Sequence, residues 1–120
     1  MCVKKIFVFL ILLLLSHVSI AQELSQIELN EAAVFRLDSS EFMLRKAYGQ
    51  LESVLTGDRV ELLSQSQSKW LEYRNANVEV STSGYKEGSI RPLIHAQLMI
   101  EMNENRIAEL TKMHLKEITP

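Results

Sequence analysis

The sequence predicts an all-α protein, an antiparallel up-down bundle of about three long helices. Three observations carry this. Apolar residues recur at spacings of three, four and seven along most of the chain after residue 23, which is the period of a helix face. Strand-like alternation is nearly absent there. Helix breakers gather in two places, Thr56-Gly57 and Ser81 to Gly88, which hold three of the four glycines, and the only proline before the terminal one is Pro92.

The first 21 residues read as a secretory signal rather than as fold. Lys4 and Lys5 precede an unbroken apolar run from Ile6 to Leu15, and Ser19 and Ala21 form a small-x-small cleavage site before Gln22. Ten apolar residues span only about 15 Å as a helix, half of a bilayer core, which argues against a permanent membrane anchor. The expected mature chain, 22–120, is a single domain. It loses Lys4 and Lys5, so the 13 basic residues fall to 11 against 15 acidic ones, a net of −4. That balance argues against nucleic acid or an anionic membrane and favours a cationic partner. The only cysteine, Cys2, leaves with the signal, so stability must come from packing.

The first helix is read over Leu24 to Leu55, with Ile27, Val34, Leu37, Leu44, Tyr48, Leu51 and Leu55 on its stripe and Glu41 interrupting it. Asp38-Ser39-Ser40 offers a cap at which this segment divides or bends; one helix is the favoured reading. Phe35 and Phe42 lie off the stripe and suggest a second contact surface. Asp58 with Glu61 reads as a capping box opening the second helix, whose stripe is Val60, Leu63, Trp70, Tyr73 and Val78. Ser89 reads as the N-cap of the third helix, with Pro92 tolerated in its first turn. Leu93, Ala96, Ile100, Ile107 and Leu110 form its stripe.

The densest stretch runs from Lys69 to Leu93. Trp70, Tyr73, Arg74, Asn77 and Val78 fall on one helical face, and Arg74 can cover the indole of Trp70 or reach an acid such as Glu41 on a neighbouring helix. The Gly-flanked corner from Gly84 to Arg91 presents Tyr85, Lys86, Glu87 and Arg91, a composition suited to recognition and equally to a solvated connection.

Catalytic patterns are poor. The mature chain has no thiol and no Gly-x-Ser-x-Gly, and His95 and His114 lie 19 residues apart, about 28 Å along one helix. His95, Met99 and Met102 share a face and suit Cu(I), but thioethers at helical spacing are more often core filler. No cofactor, resident metal or enzymatic activity is expected.

Trp-Leu-Glu-Tyr-Arg-Asn-Ala at 70–76, Tyr-Lys-Glu-Gly-Ser-Ile-Arg-Pro-Leu-Ile at 85–94 and Arg-Ile-Ala-Glu-Leu at 106–110 resemble the LprI-type lysozyme inhibitor domain of exported bacterial proteins. The family pattern runs W-x-x-Y-R-D-A-x-C, Y-x-G-G-S, P-L-x-x-x-x-C and R-T-x-E-L, so Trp70, Tyr73, Arg74, Gly88, Ser89, Pro92, Arg106 and Glu109 match its structural motif. Its cysteines, commonly paired, correspond to Val78 and Leu98, which implies that the second and third helices touch there by apolar packing. Asn75 stands where the family has Asp, and Glu87 replaces its first loop glycine. The resemblance implies a binding protein of the cell envelope, a lysozyme as its partner, and occlusion of the enzyme's cleft by the corner. A different reading makes it a structural or stress-related envelope protein that works through its helix faces.

Overall fold

A computed structural model describes the backbone of residues 2–120, with side chains for Val8, Ile20 to Glu23 and residues 25–120. Three long helices account for nearly all of it: α1 (Cys2–Glu52), α2 (Asp58–Thr82) and α3 (Arg91–Ile118). Among the described residues there is no strand. The longest dimension is 86 Å. The 51 residues of α1 account for about 76 Å of it at 1.5 Å each.

α1 runs unbroken through Asp38-Ser39-Ser40. Neither serine is used as a cap: Ser39 Oγ bonds back to the carbonyl of Phe35 at 3.1 Å, and Ser40 Oγ accepts from Asn103 of α3 at 2.9 Å. The closest helix pairing is α1 with α3. Its seam uses Ala33, Leu37, Ser40, Leu44, Ala47 and Leu51 from α1, and Ala96, Met99, Asn103, Arg106 and Leu110 from α3. Both sets alternate steps of three and four, the spacing of knobs packed into holes. Leu44, Ala47, Leu51, Leu55, Leu63 and Leu110 form the main apolar cluster, with Tyr48, Trp70 and Ile107 against it.

Several expectations change here. Ile27 and Val34 are half exposed, while Ala33 and Ala47 are buried. Small side chains let α3 lie close along α1, and Ile27 and Val34 each fall one position off the line of Gln26, Asn30, Ala33 and Leu37 that faces the bundle. On α3, Ile100, Ile107 and Leu93 are only half-buried, because the centre of its buried face is polar. Tyr73 does not share the inward face of Trp70 and Arg74. It is 60% exposed, since that face descends Leu63, Gln67, Trp70, Arg74, Val78 and Thr82. Val78 is fully buried and Leu98 half-buried.

Both helix starts also differ. Asp58 is the first residue of α2 rather than its cap. Gly57 holds the cap position at φ 62°, ψ −141°, without any side-chain cap bond, and its carbonyl accepts from Val60 N–H at 3.2 Å. Asp58 and Glu61 instead place negative charge at the positive end of the helix dipole. The N-cap of α3 is Ile90, not Ser89, and Pro92 is its second residue, where no helical N–H bond is lost.

The glycines give a paired prediction. The Gly57 conformation is close to glycine-only, so Gly57→Ala is expected to cost about 1–3 kcal/mol. Gly49 lies inside α1 with nothing within 4 Å of a built Cβ. Gly49→Ala is therefore expected to stabilise by roughly 0.5–1 kcal/mol. Urea unfolding of the two variants checks both signs.

At the open end of the bundle Arg59, in the first turn of α2, makes a two-pronged ion pair with Glu117, in the last turn of α3. The hydrogen bond from Arg59 holds the Glu117 carboxyl below its ordinary range, with charge attraction adding to it and partial desolvation opposing. The same bond and the carboxylate charge raise Arg59, which stays protonated throughout. A carboxyl depressed on folding contributes stability above its unfolded pKa, about 4.3, and loses it as pH falls through the lower folded value. Thermal melting from neutral to pH about 3 should therefore fall less steeply in Glu117→Gln than in the wild type.

Candidate functional site

Two constellations stand out, one inside the bundle and one at its corner. The inner one is a polar layer across the three helices. Arg74, 6% exposed, donates from Nη1 to Glu41 Oε1 at 2.6 Å and to Asn103 Oδ1 at 2.7 Å. Its Nε and Nη2 both donate to Asn75 Oδ1 at 3.3 Å. Asn103 donates from Nδ2 to Ser40 Oγ at 2.9 Å and more weakly to Glu41 Oε1 at 3.3 Å. The pairing of Arg74 with the residue that interrupts the α1 stripe is the one anticipated from the sequence. Asn103 was not anticipated. Its signal is the gap of seven between Ile100 and Ile107 on α3, which the polar layer fills.

Arg106, also buried, forms a second layer one turn on. It donates to Gln67 Oε1 at 3.1 Å, Ser66 Oγ at 3.0 Å and Glu109 Oε2 at 2.9 Å. The indole of Trp70 is shared by both arginines, with Arg74 5.3 Å and Arg106 5.8 Å from its ring centre. Trp70, Arg74 and Arg106 thus join the three helices, while Glu109, on the same helix as Arg106 and largely exposed, supports only the Arg106 guanidinium. Every donor of the two guanidiniums that lies inside finds an acceptor, which is the condition for burying such charge without a large penalty.

The corner begins where Thr82, fully buried, bonds through Oγ1 to the carbonyl of Val78 at 2.9 Å and ends α2. A single 3-10 turn, Ser83–Tyr85, follows. Gly88 N–H then closes a turn onto the Tyr85 carbonyl at 2.9 Å, and Arg91 N–H closes the next onto Gly88 at 3.1 Å. A Cβ on Gly88 would stand 3.4 Å from that Tyr85 carbonyl oxygen and 3.7 Å from Ile90 Cγ2. Two tethers hold the corner. Asn30 Nδ2 of α1 donates to the Ser89 carbonyl at 3.0 Å and is itself oriented by Gln26. Arg91 Nη2 donates to both carboxylate oxygens of Glu79 at 3.1 Å. Tyr85, Lys86 and Glu87 project into solvent, while Arg91 is partly covered and its Nε is buried without a hydrogen-bond partner among the described residues. A shallow recess between this corner and α1 is lined by Gln22, Glu23, Ser25, Gln26, Leu29 and Ser89.

No group of three or more His, Cys, Asp or Glu side chains among the described residues is placed to hold a metal ion. Met99 is in the core, and the Met102 sulfur accepts from Asn77 Nδ2 at 3.5 Å. The corner is thus tied to α1 through Asn30 and to α2 through Glu79, while the polar layers join the three helices further along the bundle.

A family model described as lysozyme inhibitor LprI matches residues 19–110. The chain belongs to the LprI lysozyme inhibitor family. The match takes in the whole corner and both polar layers, and it closes at Leu110, the last buried residue of α3. No curated protein and no solved structure matches the chain. Within this LprI-family chain the Asn75 amide oxygen, standing where the family pattern carries Asp, still gathers two Arg74 donors but brings no charge of its own. The negative charge of the layer comes from Glu41 alone.

Proposed function

We propose that this protein is exported, loses residues 1–21 and binds a lysozyme outside the cytoplasm, inhibiting it by inserting the α2–α3 corner into the enzyme's cleft. Family membership over residues 19–110 carries this reading. Tyr85, Lys86, Glu87 and Arg91 are the contact residues: an aromatic anchor beside charged groups on a tethered loop binds at low ordering cost. A chain with a net charge of −4 after cleavage suits a strongly cationic enzyme. Among the described side chains the first buried one is Ala33, so removing residues 1–21 takes nothing from the described core, and no helix of the described residues is long and apolar enough to cross a membrane.

The test is a cell-wall lysis assay with the exported protein and several lysozyme classes at low and moderate salt. Inhibition that weakens as salt rises supports the reading. Absence of inhibition at micromolar protein for every class overturns it. A second reading, contact through the helix faces without inhibition, is favoured by Phe35 and Phe42, which stand 73% and 59% exposed on α1.

A further inference from the structure

Phe35 and Phe42 lie off the apolar stripe of α1 and are largely exposed. Nine residues, two and a half turns, separate Phe35 from the buried Leu44 and Phe42 from the buried Leu51. Each ring therefore leaves α1 on the side opposite the core, on a back face that neither α2 nor α3 covers. The two exposed phenylalanines lie seven residues apart on one stripe with Asp38 and Ser39 between them, and large exposed aromatics grouped in this way mark an interface.

The residues around them have an unusual order. Glu31, Phe35, Asp38, Ser39, Phe42 and Lys46 are all exposed. They follow one another at steps of four, three, one, three and four, so the stripe reads the same in both directions. Its ends differ, Glu31 being acidic and Lys46 basic, and so does its centre, where Asp38 meets Ser39. A copy laid antiparallel on this face brings Phe35 onto Phe42 of the second copy, and Glu31 onto its Lys46, twice over. A parallel copy would set like charge on like. We propose that this face binds a second copy of the chain, antiparallel, about a two-fold axis between Asp38 and Ser39. Such an isologous contact needs one patch that complements itself, and this stripe does so in shape and in charge. With two acids, Glu31 and Asp38, and one base, Lys46, the stripe carries a net charge of only −1 and lacks the strongly negative field that a cationic enzyme would select, which favours a second copy over lysozyme here.

The arrangement leaves both corners free. Asn30, which tethers the corner, is about 13 Å along α1 from the axis, so the two corners face opposite ends of the pair. This inference does not depend on what the corner binds.

The experiment is light scattering with size exclusion on the exported protein, up to about 100 µM, well above the micromolar range of a weak specific contact. A dimer mass is expected. Phe35→Ser with Phe42→Ser should give a monomer with unaltered helical content. Glu31→Lys and Lys46→Glu should each weaken dimerisation several-fold, and combining them should restore it, because the exchanged charges still meet. Ser39→Cys should form a disulfide-linked dimer under oxidation, whereas Ser64→Cys on α2 should not. A monomer at every concentration overturns the proposal. So does a dimer indifferent to the phenylalanine changes, or one that the charge exchange fails to restore. Loss of lysozyme inhibition in the phenylalanine variant of a monomeric protein would make lysozyme the occupant of this face.

Discussion

Arg74→Ala is expected to lower the melting temperature by roughly 10–20 °C, about 2–3 kcal/mol in a domain of this size. The guanidinium is buried against Trp70 and bridges Glu41 on α1 to Asn103 on α3. Truncation removes the cation, opens a void beside the indole and leaves a carboxylate and an amide oxygen facing it. Breaking a fully buried pair costs about 3–5 kcal/mol, but the Glu41 side chain is 26% exposed, so water recovers part of its solvation and the smaller figure applies. Arg74→Lys is expected to rescue little, because one ammonium cannot serve Glu41, Asn103 and Asn75 in the plane the fork defines. Replacing Arg74, Glu41 and Asn103 together by apolar residues of similar volume should restore much of the stability, since the desolvation cost disappears with the charges. Paired thermal and urea unfolding measures all three. A loss under about 1 kcal/mol in Arg74→Ala would mean that water, not the neighbouring helices, supports the layer.

The same layer shows how much of this protein is legible in its sequence. A glutamate interrupting an apolar stripe and an arginine one turn from the only tryptophan were enough to anticipate the Arg74–Glu41 pair across 33 residues of chain. The two breaks, the three helices and their order were equally legible, because Gly57, Gly84 and Gly88 interrupt the helical pattern, although α2 continues through Thr82 and a 3-10 turn follows it. The seam was less so. Its central positions on α3 are Asn103 and Arg106, and reading apolar spacing alone shifts the inward face to Ile100 and Ile107. Ala33 and Ala47 were missed for a related reason: alanine carries little hydrophobic signal, and its value here is the close approach it permits. The caps were misread because Asp58 and Ser89 have capping chemistry at nearly the right place. The backbone turn at Gly57 and the tether from Asn30 to the Ser89 carbonyl set the boundaries one residue away. The corner is legible as composition, while its two tethers depend on α1 and α2 being in place.

Those tethers make the corner's side chains separable from the fold, and the second large effect follows from that. Alanine at Tyr85, Lys86 and Glu87 together is expected to reduce lysozyme inhibition by about 100-fold or more, the loss of roughly 3 kcal/mol from a contact centre. Stability should change little, since none of the three belongs to the buried core and the tethers remain in Asn30, Glu79 and Arg91. Arg91→Ala is a different experiment. It removes a candidate contact and the clasp on Glu79 at once, so both inhibition and the order of the corner should suffer. Asn30→Ala separates the two roles. It cuts the tether from α1 while leaving every candidate contact residue in place, so a partial loss of inhibition there measures how much the rigid mounting contributes. Full inhibition by the triple variant would remove the corner from the mechanism. The helix faces would then be the surface to test against lysozyme, beginning with Phe35 and Phe42, and a corner held this firmly would have only the turn between α2 and α3 to explain it.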